Sequence, residues 1–339
     1  MGGFILWYNY EMKKILIITG GAGFIGFNFV KHFLPLRGYE NVIFIDKMGY
    51  ATKNNKSEYY RLTATSEKFI NIEMNINNLY AFPIPNKVKN SEFDIVNFAS
   101  ESHVDNSISS PYSIYNDNAC IVSNLISWAG KENISKFVHI STDEVYGDLD
   151  YNLKDDYSKW FKPDSPFLPN NPYAASKAAQ DCYLRSMNHT FGLNVVTVRM
   201  ANQFGPHQHH EKMLPATIKR AVGGLPIKIY GEGKNIRQWT PVSQTVKHIY
   251  NILMDDKVNN TTIHLGASQS LLTNNEVVDM WRGILKDNHN IDTTVEYIED
   301  RKGHDKMYAI QPSVEYVYGN IKDEFVSSID YYVNYKYPV

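Results

Sequence analysis

Cysteine is almost missing from this chain. Cys120 and Cys182 are the only two among 339 residues. They lie far apart and in no ligand spacing, so neither a disulfide framework nor a zinc site is indicated. Such sparing use suits a reducing compartment, and a cytoplasmic location is expected. Long apolar runs are missing as well: none approaches the roughly 20 residues that a membrane span needs. Charge is balanced, with 34 Lys and Arg against 36 Asp and Glu and a formal net charge of -2. That balance argues against nucleic acid or an anionic membrane as the main partner. The opening MGGFILWYNYE lacks the basic start and cleavage site of a signal peptide. Leu6 stands where a myristoylation motif wants Ser or Thr. Met12-Lys13-Lys14 reads as a natural start, so residues 1–11 are expected to be a dispensable extension. Internal repeats and low-complexity linkers are missing too.

What remains is an ordinary globular profile, 43% hydrophobic and 21% charged, in a chain long enough for a large α/β domain with a smaller companion. From Ile15, short apolar runs alternate with longer amphipathic stretches. KILIIT (14–19), NVIFID (41–46), FDIVNFAS (93–100), FVHIS (137–141) and LNVVTVRM (193–200) read as strands, with a helix near 24–37 after the first. Strands that are apolar throughout, separated by helices, predict a parallel sheet covered on both faces. That is a doubly wound α/β domain. After about residue 200, Gly-Pro pairs and the loop GEGKNIRQW (231–239) point to a smaller mixed α/β unit. The expected division is 12–200 with about 239–266 in the large domain, and about 201–238 with 267–339 in the small one.

TGGAGFIG (19–26) follows the first strand and opens the first helix. In this Rossmann pattern Gly20 allows a tight turn, Gly23 lets backbone approach a pyrophosphate, and Gly26 lets the helix pack on the strand. Asp46 ends the second strand, 20 residues after Gly26. A carboxylate there binds both adenosine ribose hydroxyls and disfavours an extra phosphate, so the expected cofactor is NAD rather than NADP.

NPYAASKAAQDCYLRS (171–186) reads as a helix with Pro172 at its first position. Tyr173 and Lys177 are then four apart, on one face. A phenol of pKa about 10 needs roughly 4 kcal/mol of help to act as a base near pH 7. A nearby ammonium and a positive nicotinamide could supply it. Such a pair is commonly a mere surface pair; downstream of the glycine turn it reads as catalytic.

With HISTDEVYGD (139–148), these features resemble the extended short-chain dehydrogenase/reductase family, from about Lys13 to Asp305. Ser141-Thr142-Asp143-Glu144-Val145-Tyr146-Gly147 is similar to the form in nucleotide-sugar 4,6-dehydratases, whose substrate is dTDP-glucose or UDP-glucose. ESHVDNSI (101–108), the NQFGP and EKMLP blocks (202–215), YGEGKNIRQW (230–239) and GHDKMYAI (303–310) agree in order.

The resemblance implies a chemistry that explains the adjacent acids. Tyr173 takes the C4 hydroxyl proton as the sugar is oxidised by NAD, and Thr142 hydrogen-bonds the keto oxygen. Glu144 removes the C5 proton, Asp143 protonates the departing C6 hydroxyl, and hydride returns to C6. The product is a 4-keto-6-deoxy sugar nucleotide, a first step towards a deoxysugar such as rhamnose. Neighbouring carboxyls with separated pKa values suit this task. The resemblance also implies cofactor contacts from Gly20, Gly23, Phe24, Ile25, Gly26, Asp46, Lys47, Asn75, Ile76, Ala99, Ser100, Asn118, Tyr173 and Lys177, with the cofactor held tightly and recycled. Substrate contacts are implied for Ser102, Thr142, Asn202, Glu211, Lys212, Tyr230, Arg237 and His304. The planar fork of Arg237 suits a diphosphate.

HQHHE (207–211) invites a metal reading, but three histidines in one loop without a second ligand cluster are more often simply polar, and no metal is expected. Departures from the family pattern include Asn75 and Gln238 in place of Asp, Lys306-Met307 in place of a basic pair, and Ala267 in place of Gly. Asn106 stands where bacterial dTDP-glucose enzymes usually carry Arg, which leans towards UDP-glucose. A homodimer through helices near 112–130 and 172–190 is expected by the same resemblance. The alternatives are a 4-epimerase or UDP-glucuronate decarboxylase on this scaffold, or a non-catalytic NAD-binding sensor. The first needs no acid pair, the second usually has Ser in place of Asp143, and sensors commonly lose Tyr or Lys of the pair.

Overall fold

The computed structural model describes residues 13–316 and 320–335; the expected extension, 1–11, lies outside them. The strands are β1 (Lys13–Thr19), β2 (Tyr39–Asp46), β3 (Phe69–Glu73), β4 (Phe93–Asn97), β5 (Ile134–Thr142) and β6 (Val195–Met200), followed by β7 (Asn202–Phe204), β8 (Ile227–Tyr230), β9 (Ile236–Pro241), β10 (Thr261–Gly266), β11 (Leu271–Thr273), β12 (Val295–Ile298) and β13 (Val314–Glu315). The helices are α1 (Phe24–Phe33), α2 (Lys56–Thr63), α3 (Val104–Ser109), α4 (Pro111–Ala119), α5 (Ile121–Ala129), α6 (Pro172–Phe191), α7 (Met213–Val222), α8 (Val242–Met254), α9 (Asn274–His289) and α10 (Ile321–Val333).

The large sheet runs β13-β10-β6-β5-β4-β1-β2-β3, parallel throughout. The chain winds outwards from β1 to β3, then crosses back to β4 and continues the other way. This reversal opens a crevice beyond the carboxyl ends of β1 and β4, where doubly wound proteins bind ligands. Both faces are covered, as continuous apolar strands require. Leu16 and Ile18 pack with Phe27, Phe29 and Val30 of α1 and Val246 and Ile249 of α8. Ile15 and Ile17 face the opposite layer, with Val122, Leu125 and Ile126 of α5 and Leu184 and Met187 of α6. A separate core gathers Phe204, Trp239, Trp281 and Phe325 beneath α7, α9 and α10, beside a three-stranded sheet, β11-β9-β7, and the β12-β8 pair.

Several boundaries differ from the sequence pattern. Helix α1 stops at Phe33 rather than near 37, because a residue preceding proline is driven extended: Leu34, before Pro35, has φ -60° and ψ 137°. The single helix expected near 112–130 is two, broken at Cys120. There the side-chain amide of Gln180 takes the carbonyl of Asn118, an intrusion of the kind that interrupts a helical ladder. The edge strand β3 escaped notice because only Phe69 and Ile72 of its five residues are buried. Within 267–339, expected to belong wholly to the smaller unit, Val314–Glu315 returns to the edge of the large sheet beside β10.

Candidate active site

The crevice begins at the glycine turn. Gly20 has φ +66°, and a Cβ there would lie 2.6 Å from the backbone nitrogen of Ala99. A Cβ on Gly26 would lie 2.3 Å from the carbonyl oxygen of Gly20. The turn therefore brings backbone against backbone at two points and leaves an open cradle above it. Asp46 is buried at the end of β2. Its two carboxylate oxygens accept from the backbone N–H groups of Ala22 (3.0 Å) and Met48 (2.9 Å), and burial holds its pKa above the usual range. Asn118 clamps the opposite wall, accepting from the Glu101 N–H at 2.8 Å and donating to the Glu101 carbonyl and to Ser176 Oγ. Asn75 accepts from the N–H of Asn77 and so caps the turn that follows. Gly20, Gly23, Asp46, Lys47, Asn75, Ile76, Ala99, Ser100 and Asn118 line this first cavity together. Lys47 and Glu101, beyond the ends of β2 and β4, form an ion pair within it.

The crevice continues over the end of β5. Thr142 accepts from the N–H of Glu144 at 3.3 Å, capping a 3-10 turn of Asp143–Tyr146, and its hydroxyl donates to Asp143 Oδ1 at 3.3 Å. Asp143 is 2% exposed. Burial first, and then the neighbouring Glu144, push its carboxyl up to about 8, against a smaller opposing pull from Arg237. A carboxyl in such a site is protonated at neutral pH. Glu144 Oε2 accepts from Asn171 Nδ2 at 3.2 Å, and the same Asn171 caps α6 by accepting from the N–H of Ala174. One side chain thus fixes the acid pair to the helix that carries Tyr173 and Lys177.

Lys177 is buried; its ammonium donates to the Ile140 carbonyl and to Gln180 Oε1, both at 2.8 Å, and burial lowers it to about 8. Tyr173 is buried as well. Burial and the two acids hold its phenol above the ordinary value, with only the hydrogen bond from Thr142 working against them. The protein's own groups therefore keep the phenol protonated. Thr142, Asp143, Glu144, Tyr173 and Lys177 share this second cavity with Gly20, Gly23, Phe24, Ile25 and Gly26.

Ser102, Asn202, Glu211 and Lys212 line both this cavity and a third, outer one. Lys212 donates to the Ser102 carbonyl at 2.7 Å. Tyr230, Arg237 and His304 complete the outer end. Arg237 is 4% exposed and donates to the carbonyls of Ile236 and Asp305, with its guanidinium 4.2 Å from the Tyr308 ring centroid. His304 Nδ1 lies 2.6 Å from Asp300. Every residue expected to contact cofactor or substrate therefore lines one of these three cavities, which share residues. Three cations that were not singled out, Arg220, Lys228 and Arg301, line the outer one as well. For Arg220 a signal existed, since Lys212, Ala216 and Arg220 follow each other at helical spacing and all face the cavity. In the histidine-rich loop, His209 lies against Glu211, and among the described residues no cluster of three or more His, Cys, Asp or Glu could hold a metal.

Residues 17–320 match the family described as GDP-mannose 4,6 dehydratase. The low-salt glycan biosynthesis protein Agl12 of Haloferax volcanii is 32% identical over 324 residues, 94% of this chain and 98% of that protein. A dTDP-glucose 4,6-dehydratase of Xanthomonas campestris pv. campestris is 33% identical over 324 residues, 91% of this chain and 86% of the enzyme. Among solved structures, the dTDP-glucose 4,6-dehydratase DesIV from Streptomyces venezuelae, crystallised with NAD bound, superposes with a TM-score of 0.81 at 31% identity, over 94% of this chain and 96% of that one.

Proposed function

The chain belongs to the GDP-mannose 4,6 dehydratase family, and we propose that it is an NAD-dependent hydro-lyase that removes water across C5 and C6 of a nucleoside-diphosphate glucose, giving the 4-keto-6-deoxy sugar. The pair Asp143–Glu144 carries this reading. A carboxyl held protonated beside a second one, in the same cleft as Tyr173 and Lys177, is what an elimination needs and an epimerisation does not. The glycine cradle, open above Gly23 and bordered by Asp46, fits the pyrophosphate and ribose of NAD. When bound, NAD would accept the hydride lost from C4, would return it to C6 after water has left, and would supply a positive charge that offsets the raised phenol of Tyr173. Tyr173 then takes the C4 hydroxyl proton, with the Lys177 ammonium below it. Thr142 donates to the C4 oxygen, Glu144 takes the C5 proton, and Asp143 gives its proton to the leaving C6 hydroxyl. The cations of the outer cavity, Arg237 among them, hold the diphosphate.

Two features bear on the nucleotide. Several relatives that are 32–33% identical are dTDP-glucose enzymes, whereas Asn106 leans towards UDP-glucose. Asn106 is absent from the residues lining the three cavities, and its side chain is engaged by Tyr50. The relatives therefore weigh more, and dTDP-glucose is the proposed substrate. The purified protein, without added cofactor, should remove one water from dTDP-glucose, followed by mass spectrometry. Water loss from UDP-glucose alone would reverse the nucleotide. Loss from neither, even with NAD supplied, would defeat the assignment.

A homodimer is proposed through α4 and α6, which pack side by side and expose Tyr112 (81%), Tyr115 (40%) and Tyr183 (36%). Sedimentation should give twice the chain mass, and Tyr112→Glu should shift it towards the monomer; a wild-type monomer would refute the interface.

A further inference from the structure

The histidines of the loop after β7 have no role in the proposed chemistry, yet elements from distant parts of the chain converge on that loop. Asn28 of α1 donates to the Pro206 carbonyl at 3.0 Å. Asn55, ahead of α2, donates to the His207 carbonyl at 3.2 Å. From α10, the Tyr332 hydroxyl donates to the Gly205 carbonyl and accepts from the Gln208 N–H, both at 2.8 Å. The His207 ring lies between Phe27 and Tyr331, with centroids 4.7 and 5.0 Å away. Its Nε2 is 3.2 Å from the Lys31 ammonium and its Nδ1 3.1 Å from the Tyr331 hydroxyl. An ammonium can only donate, so Nε2 accepts and Nδ1 carries the ring proton.

These ties have a consequence a few residues further on, where the loop supplies Glu211 and Lys212 to the cleft. Gly205 has φ +147°, and a Cβ there would lie 2.5 Å from Val242 Cγ1, so this turn takes no side chain at its first position. His207 is itself held at φ +72°, a conformation that a histidine keeps only when its surroundings insist. Tyr332, 2% exposed, bonds both ends of this turn, Gly205 and Gln208.

We propose that Tyr332 is a positioning residue for the substrate side of the cleft: its hydroxyl fixes the backbone from Gly205 to Gln208 and thereby places Glu211 and Lys212. This rests on the proposed function only in taking those two residues as sugar-nucleotide contacts. Tyr332→Phe removes one oxygen and leaves the ring in the core. Losing a hydroxyl that serves two backbone groups should raise KM for dTDP-glucose about ten-fold, with kcat within about two-fold. The NAD content should stay that of the wild type. Amide hydrogen exchange should accelerate in 205–212 and stay unchanged in α9 and in the β1–α1 turn. Unchanged exchange in 205–212 would overturn the proposal, and so would faster exchange with an unaltered KM, or a fall in kcat alone. If the wild type turns over no sugar nucleotide, the function falls instead, and exchange in 205–212 alone decides the pin.

Discussion

Asp143→Asn should retain NAD yet lose about two to four orders of magnitude in dehydration rate, the usual range for removing a positioned acid or base. The neutral amide keeps the shape of the carboxyl and its contact with Thr142, but it has no proton to give the departing C6 hydroxyl. Glu144 is untouched by this change, so removal of the C5 proton should continue. In deuterated water the recovered sugar nucleotide should therefore gain deuterium at C5 without losing water. Glu144→Gln should abolish both the exchange and the water loss. Deuterium uptake in neither variant, or in both, would reassign the two acids.

The wild-type pH profile should carry the same signature. In the proposed role Asp143 must be protonated to act, and burial pushes its carboxyl up to about 8. The acid form is complete well below that value, so kcat/KM should fall as pH rises through about 8. Lys177, lowered to about 8 by burial, loses its charge over the same interval, and both changes act in one direction. Stability runs in parallel. A carboxyl whose folded pKa is raised favours the folded state at low pH and loses that advantage as pH rises through its folded value. Relative to wild type, the melting temperature of Asp143→Asn should thus climb from about pH 5 to about pH 8. A site tuned for acid chemistry is held at a cost to stability that its amide variant escapes.

What could be read from the sequence was local. Gly20, Gly23 and Gly26 announce a turn because their spacing is set by one strand, one turn and one helix. Asn171-Pro172 announces the start of α6 because capping is decided within four residues. The placement of Tyr173 near Thr142 follows from the parallel order of strands. Contacts between distant segments were not legible. Nothing near Lys177 in the pattern shows that Gln180 and the carbonyl of Ile140 would hold its ammonium, or that burial beside Glu144 and Asp143 would raise the Tyr173 pKa. Arg301 and Lys228 reach the outer cavity from separate loops and strands, and Tyr332 meets Gly205 across 127 positions. Such pairings are set by packing of whole elements, and a period of 2 or 3.6 residues carries no trace of them.

Gly23→Ala and Gly26→Ala should both empty the enzyme of NAD, for different reasons that the unliganded protein can tell apart. A Cβ on Gly26 would lie 2.3 Å from the carbonyl oxygen of Gly20 and 3.0 Å from the Cα of Gly21. Both are backbone atoms, which no side-chain rotation can move aside. The start of α1 must be pushed off the β1 turn, with or without cofactor, at the cost of roughly 1–3 kcal/mol typical of overpacking. Gly23 has φ -72°, a value any residue adopts. Its added Cβ would meet only the Gly20 carbonyl, at 3.3 Å. The methyl group otherwise points into the open space that Gly23 lines, where the proposal places the pyrophosphate. The contact with the Gly20 carbonyl is tight but is relieved by a shift of a few tenths of an ångström, so Gly23→Ala should lower the melting temperature of the cofactor-free protein clearly less than Gly26→Ala does. Gly26→Ala should lower it by several degrees, as expected for about 1–3 kcal/mol in a chain of this size. NAD released on denaturation, measured by mass spectrometry, should be absent from both. Retention of NAD by Gly23→Ala would move the pyrophosphate off this turn, and with it the alignment of the nicotinamide over Tyr173.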